Sequence, residues 1–352
     1  MQTLKNDPGS VSGRVQDPPE EHLRKKVTLI SFLCSILVIY IHAYNLSIYG
    51  IDSDSGGFAR VVYYLESYWR STLSEIPVSM FFYLSGFLFF RTYSPDKLLA
   101  KYASRAKSLL IPYFVWASAD FLVMGLLSIL FASRGILNMS GPPLTFRAWL
   151  QSLLFDPLGG LWFLRNLIVF VFLTPLLYFL LKDRAGLPTG ALVVLLLYLN
   201  LRFSVVPTLR GLEIYSLGSW IGINHKQAAL KRDRRLTAVS ILVLAVWFFS
   251  AFRWNSVFTE PLMLTAIWFA LDLFRLPFFP WWMHITFFTY LAHALVLEAA
   301  EKLFLLAFGR SPLAALLDFL VMPVVVFLFL AAAAFILKRR TPKLWGVLNG
   351  GR

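Results

Sequence analysis

The chain has 352 residues, of which 58% are hydrophobic and only 15% charged, with a mean hydropathy of +0.67. That balance excludes a soluble globular domain, and the lone cysteine, Cys34, excludes an intramolecular disulfide framework. Lysine and arginine outnumber aspartate and glutamate by 33 to 19, which in so apolar a chain reads as the positive-inside bias of a polytopic membrane protein rather than a nucleic-acid footprint.

Residues 1–26, rich in Asp, Pro, Gly, Ser and Gln, are expected to form a disordered cytoplasmic tail. Their length and polarity make the first apolar run a retained span rather than a cleaved signal. Measured against about 20 residues per bilayer crossing, the apolar runs predict ten transmembrane helices. These lie near 27–49, 75–91, 107–131, 161–181, 188–201, 211–224, 236–253, 259–275, 284–307 and 313–337. The runs 188–201 and 211–224 are short and fit tilted or partly re-entrant helices. With the N-terminus inside, 23 lysines and arginines fall on the inner side and 8 on the outer, so both termini are expected to be cytoplasmic. The connection 132–160, the longest, leaves no room for a soluble domain, and no repeat marks two related halves. The expected fold is an all-α membrane bundle over 27–340 with a short cytoplasmic tail, 341–352.

The first run carries an imidazole, His42, at membrane depth, where an ionisable side chain is costly and points to function. On a continuous helix Thr28, Ser31, Ser35, His42, Asn45 and Tyr49 form one polar stripe, interrupted by Val38, that turns toward protein or water. Such a histidine either lines a working cavity or serves as interhelical hydrogen-bonding glue. The second run places Ser79, Tyr83 and Gly86 on one face, with Ser85 beside them. Its Ser-Gly pair suits close approach of a neighbouring backbone better than a serine nucleophile. In the fourth run, GGLWFLRNLIVF, Trp162 and Arg165 lie near the outer surface. Arg165 either snorkels or joins a site with His42, which lies at similar depth, about 10 Å in against about 6 Å. The ninth run adds Tyr290 and His293, three apart and on one face, while Glu298 and Lys302 can neutralise each other. No metal-ligand spacing and no glycine-rich phosphate loop occurs.

Taken in order, SILVIYIHAYN, FFYLSGFLFF, RAKSLLIPYFVW, LWFLRNLIVF, TFFTYLAHALVLE and the ending PKLWGVLNGGR resemble the acyltransferase-3 family of integral-membrane acyltransferases. The resemblance runs from about Val27 to the end of the chain and implies ten core helices. It also implies transfer of an acetyl or other short acyl group from coenzyme A to a hydroxyl, often of a glycan. The family's first-helix histidine, regarded as catalytic, falls on His42. Where many members carry an arginine eleven residues earlier, thought to hold the coenzyme, this chain has Ser31; Arg24, Lys25 and Lys26 are candidate substitutes at the mouth.

The resemblance therefore implies acyl-CoA as donor, a glycan or lipid-linked acceptor and membrane lipids as partners, and a bacterial inner membrane as the location. Basic groups at the inner end suit a polyanionic coenzyme, and Lys26 to His42 spans about 24 Å of helix, the reach of an extended pantetheine arm past Ser31 and Ser35. His42 is expected to act as general base on the acceptor hydroxyl, with an acyl-histidine as the other route and Arg165 as a candidate oxyanion or substrate contact. Tyr83, Ser85, Trp162, Tyr290 and His293 are supporting candidates. A transporter or flippase of a glycan precursor is the rival reading, since buried histidines also serve proton-coupled movement.

Overall fold

The computed structural model describes residues 19–73, 75–132, 141–184, 186–202, 207–249 and 259–351. All regular structure among them is helical. Helix α1 (Pro19–His42) starts ahead of the apolar run, with Glu20 and Glu21 in its first turn, where carboxylates meet the positive end of the helix dipole. It stops at His42, and a short α2 (Leu46–Tyr49) follows. The predicted continuous span 27–49 is thus broken, and Asn45 and Tyr49 leave the stripe that was to run through His42. Tertiary partners explain the break: Asn45 Nδ2 donates to the Ala315 carbonyl at 3.2 Å and the Tyr49 hydroxyl to Asp318 at 3.0 Å.

The amphipathic α3 (Gly57–Leu73) precedes α4 (Glu75–Phe90). Helix α5 (Leu98–Arg105) runs through a π turn, Ala106–Leu110, into α6 (Ile111–Ala132). The widened turn stands just before Pro112, whose ring cannot sit over the Ser108 carbonyl in a regular helix. Next come α7 (Phe146–Leu154), α8 (Trp162–Phe172) and α9 (Thr174–Leu181). The last two are bent by 66° at Leu173, two residues before Pro175, so the predicted run 161–181 is a broken helix. Then follow α10 (Leu187–Arg202), α11 (Pro207–Asn224), α12 (Lys226–Leu230), α13 (Arg234–Phe249) and α14 (Thr259–Ala270). The chain ends in α15 (Thr286–Phe308), α16 (Pro312–Arg340) and α17 (Pro342–Leu348). By length and hydropathy, four stretches can cross a membrane among the described residues, and the bent α8–α9 pair makes a fifth.

Helix α4 is the centre of the bundle and packs along α11, with α1 on another side. Glycines close the α4–α11 seam: a Cβ added at Gly86 or Gly218 would run into the backbone carbonyl of Tyr215 or Tyr83, and one at Gly222 would stand 2.7 Å from that of Phe87. This is the close backbone approach that the Ser-Gly pair predicts. Helix α15 lies between α1 and α16. At the chain's end, Trp345 of α17 packs its ring 5.2 Å from Phe288, and Trp116 Nε1 donates to the Leu348 carbonyl at 3.1 Å. Residues 342–348 are thereby fastened to the bundle.

Candidate active site

Because α1 stops at His42, the imidazole stands at a helix end, accessible, between α15 and the loop that enters α8. That loop carries Gly159 and Gly160 at φ +65° and +74°, a left-handed pair that only glycine adopts without strain. Their missing side chains matter. A Cβ on Gly160 would stand 3.3 Å from His42 Nε2, and one on Gly159 would run into the carboxylate of buried Asp120. The loop backbone can therefore press directly against the imidazole.

From α15, His293 brings its ring centroid to 5.0 Å from that of His42. It is fully buried, and its Nδ1 lies 2.6 Å from the Tyr290 carbonyl. A carbonyl oxygen can only accept, so Nδ1 carries the proton and Nε2 is left as an acceptor. Nε2 has no partner among the described residues. The two imidazoles lie side by side without a hydrogen bond between them, so the unpartnered Nε2 of His293 faces the ring of His42 as a free acceptor.

One turn before His293, Tyr290 donates its hydroxyl to the Gly160 carbonyl at 3.0 Å. Tyr290 also lines a cavity of about 290 Å³ that extends toward the basic end of the bundle, past Ser85, Tyr215, Ser31 and Val27 to Arg105. The cavity stops at Tyr290, and behind the Tyr290–Gly160 bond lies His42. The Tyr290–Gly160 hydrogen bond thus stands between the cavity lining and the imidazole.

Arg105 and Ser31 line this cavity together. Arg105 has no carboxylate partner among the described residues; its guanidinium sits 5.4 Å from the Phe89 ring. Sequence reasoning gave it no site role, counting it among the loop charges that orient the bundle and as the first residue of the family-like run RAKSLLIPYFVW. Gly160 and Asp120 were missed as well.

The other candidates fall into distinct places. Ser31 and Ser85 line the cavity, whereas Ser35 is buried and spends its hydroxyl on the Ser31 carbonyl at 2.8 Å. Lys26 is 1% exposed and locked to Asp272 at 3.0 Å beneath Trp268, and Lys25 pairs with Glu21. Arg24 is exposed on α1. Arg165 donates to the Phe155 carbonyl and to Asn166. Trp162 stacks near Phe82 with centroids 6.4 Å apart, and Tyr83 is buried where α4 meets α11. The histidine pair, Tyr290 and the cavity are therefore one assembly, and Arg165, Lys26 and Tyr83 do not line that cavity. Among the described residues no group of three or more His, Cys, Asp or Glu side chains is arranged to hold a metal ion.

No curated protein and no solved structure gives a significant match to this chain. The family model for acyltransferase 3, described as an acyltransferase domain, matches residues 26–338, nearly the whole length. An all-helical bundle with several helices apolar enough to cross a membrane, matched end to end by that one family, makes the chain a multi-pass membrane acyltransferase of the acyltransferase-3 family.

Proposed function

We propose that this acyltransferase moves an acetyl or other short acyl group from acyl-CoA to a hydroxyl of a glycan or related envelope acceptor, with His42 as general base. The observation that carries this reading is the cavity between Ser31 and Arg105 that ends against Tyr290, whose partner Gly160 lies against His42. The donor's phosphates stay at the basic end, near Arg105 and the exposed Arg24, where guanidinium groups suit phosphate oxygens. Its pantetheine arm fills the cavity, and the thioester reaches the imidazole when Tyr290 lets go of Gly160.

The acceptor comes from the other side. A ring nitrogen of His42 takes the hydroxyl proton as the acceptor oxygen bonds to the thioester carbonyl carbon. The carbon–sulfur bond then breaks, and the imidazolium returns its proton to the departing thiolate. On this proposal the Nε2 of His293 accepts the imidazole's other N–H and so orients the ring. In this reading the ten apolar runs are crossings of a bacterial inner membrane with both termini in the cytoplasm, so the acyl group moves outward while the coenzyme stays inside. The direct route needs no acyl-enzyme.

The test is acyl transfer by His42→Ala in membranes at equal expression. A loss of about 10²-fold or more is expected, and a wild-type rate would remove the proposed base. Incubation with labelled acyl-CoA and no acceptor is expected to leave the protein unlabelled; label retained on His42 would replace the direct route with an acyl-histidine.

A further inference from the structure

A second cavity, of about 850 Å³, opens at the basic end on the opposite side of α1 from the one that leads to His42. His22 lines it, whereas Ser31 lines the first; nine residues at about 100° each place the two half a turn apart on the helix. Its rim is cationic: Lys231, Arg232, Arg234 and Arg275 contribute, beside a Lys25 that is paired with Glu21. The two acidic residues in its wall do not offset them. Asp272 is bound to Lys26 and His22, and Asp233 spends its carboxylate on the first backbone N–H groups of α13, at 2.8 Å from Arg235 N and 3.2 Å from Leu236 N. Lys231, Arg234 and Arg275 are exposed and have no carboxylate partner among the described residues.

The deeper wall of the same cavity is apolar, and Ile241 is shared with a groove of about 460 Å³ between α13 and α14, lined by Leu244, Ala245, Met263 and Ile267. From Arg234 to Phe248 the helix rises about 21 Å, more than the roughly 15 Å half-thickness of a hydrocarbon core. A basic cup with room for a lipid headgroup that continues into an apolar trough of leaflet depth matches an anionic amphiphile. It does not match a soluble anion, which has no use for the trough.

We infer that this cup and groove form a binding site for an anionic phospholipid of the leaflet at the basic end, headgroup phosphate among Lys231, Arg234 and Arg275 and one acyl chain along α13–α14. The site is independent of the transfer chemistry. Each Lys or Arg near a membrane surface adds attraction to an anionic lipid, and a phosphate shared among several cations forms charge-assisted hydrogen bonds.

Native mass spectrometry of the full-length protein in detergent, titrated with phosphatidylglycerol or phosphatidylcholine, tests this. Phosphatidylglycerol is expected to be retained, and a Lys231→Gln, Arg234→Gln, Arg275→Gln variant with an unchanged melting temperature is expected to retain it about tenfold less. Ala245→Phe, which fills the trough and leaves every charge in place, is expected to lower retention too. Equal retention of the two lipids, or no change in the triple variant, would overturn the assignment. Displacement of the lipid by 3′,5′-adenosine diphosphate would overturn it as well, since the cup would then serve a soluble phosphate ligand.

Discussion

His42 and His293 come from helices more than 250 positions apart in the chain, and their meeting is a property of the fold alone. The Nδ1 of His293 is tied to its own helix, so the useful face of that ring is Nε2. This division of labour makes a prediction that separates positioning from packing. His293→Ala is expected to lower kcat about 10²-fold with little change in the donor's KM. His293→Gln, which returns an acceptor to the Nε2 position, is expected to recover more activity than His293→Asn, which can only reproduce the bond to Tyr290. Equal losses in Gln, Asn and Ala variants would reduce His293 to packing. A second test concerns Arg105. Its guanidinium enters the cavity without a carboxylate partner among the described residues, and removing a charge-assisted contact to phosphate typically costs 1.5–3 kcal/mol, a roughly ten- to hundredfold rise in the donor's KM for Arg105→Gln. An unchanged KM would leave the donor's anionic end elsewhere.

His42 stood out in the sequence because an imidazole inside an apolar run needs a reason. Arg105 gave no such signal, because a basic residue at a membrane boundary already has an explanation in topology. Gly159 and Gly160 were equally silent: two glycines ahead of a helix can be an ordinary turn, and their contact with His42 and Asp120 exists only once α1, α6 and α8 are packed together.

Among the elements, the α4–α11 seam is the part most dependent on individual residues. Gly218 lies against the Tyr83 carbonyl, so Gly218→Val has no space and is expected to cost about 1–3 kcal/mol as an overpacked contact, read as a lower melting temperature in detergent. Gly190 in α10 has nothing within 4 Å of an added Cβ. Gly190→Ala is expected to leave stability unchanged or raise it, because alanine is the better helix former. Equal effects of the two substitutions would contradict the seam. Helix positions were readable from hydropathy, which found the body of every long apolar helix. The breaks were harder. The bend after α8 was not foreseen, although Pro175 stands beside it, and the stop at His42 has no local signature, because Asn45 and Tyr49 are drawn off the helix by Ala315 and Asp318 of α16. The amphipathic α3 was passed over because Arg60, Glu66 and Arg70 dilute its apolar face, although Glu66 is fully buried in the bundle.

At the scale of the whole molecule, the basic end is not a uniform charge belt. Lys26 is consumed by Asp272 inside the protein, Lys25 by Glu21 and Arg91 by Glu20, while Arg105 lines one cavity and Lys231, Arg232, Arg234 and Arg275 line another on the opposite side of α1. The cavity beside Ser31 and Arg105 leads toward His42; the one beneath Lys231 and Arg234 leads along the lipid-facing groove. A count of positive residues per loop gives orientation without this division, since it weighs every lysine and arginine alike and cannot see which are already paired.

The proposal that the Ser31 cavity is the donor's path is open to direct measurement. The single native cysteine, Cys34, is buried and leaves a low background for labelling a Ser31→Cys variant with a maleimide. Saturating coenzyme A is predicted to slow that labelling about tenfold or more by filling the space beside Ser31, an occupancy of nine parts in ten or greater. Labelling at the same rate with and without the coenzyme would contradict the account.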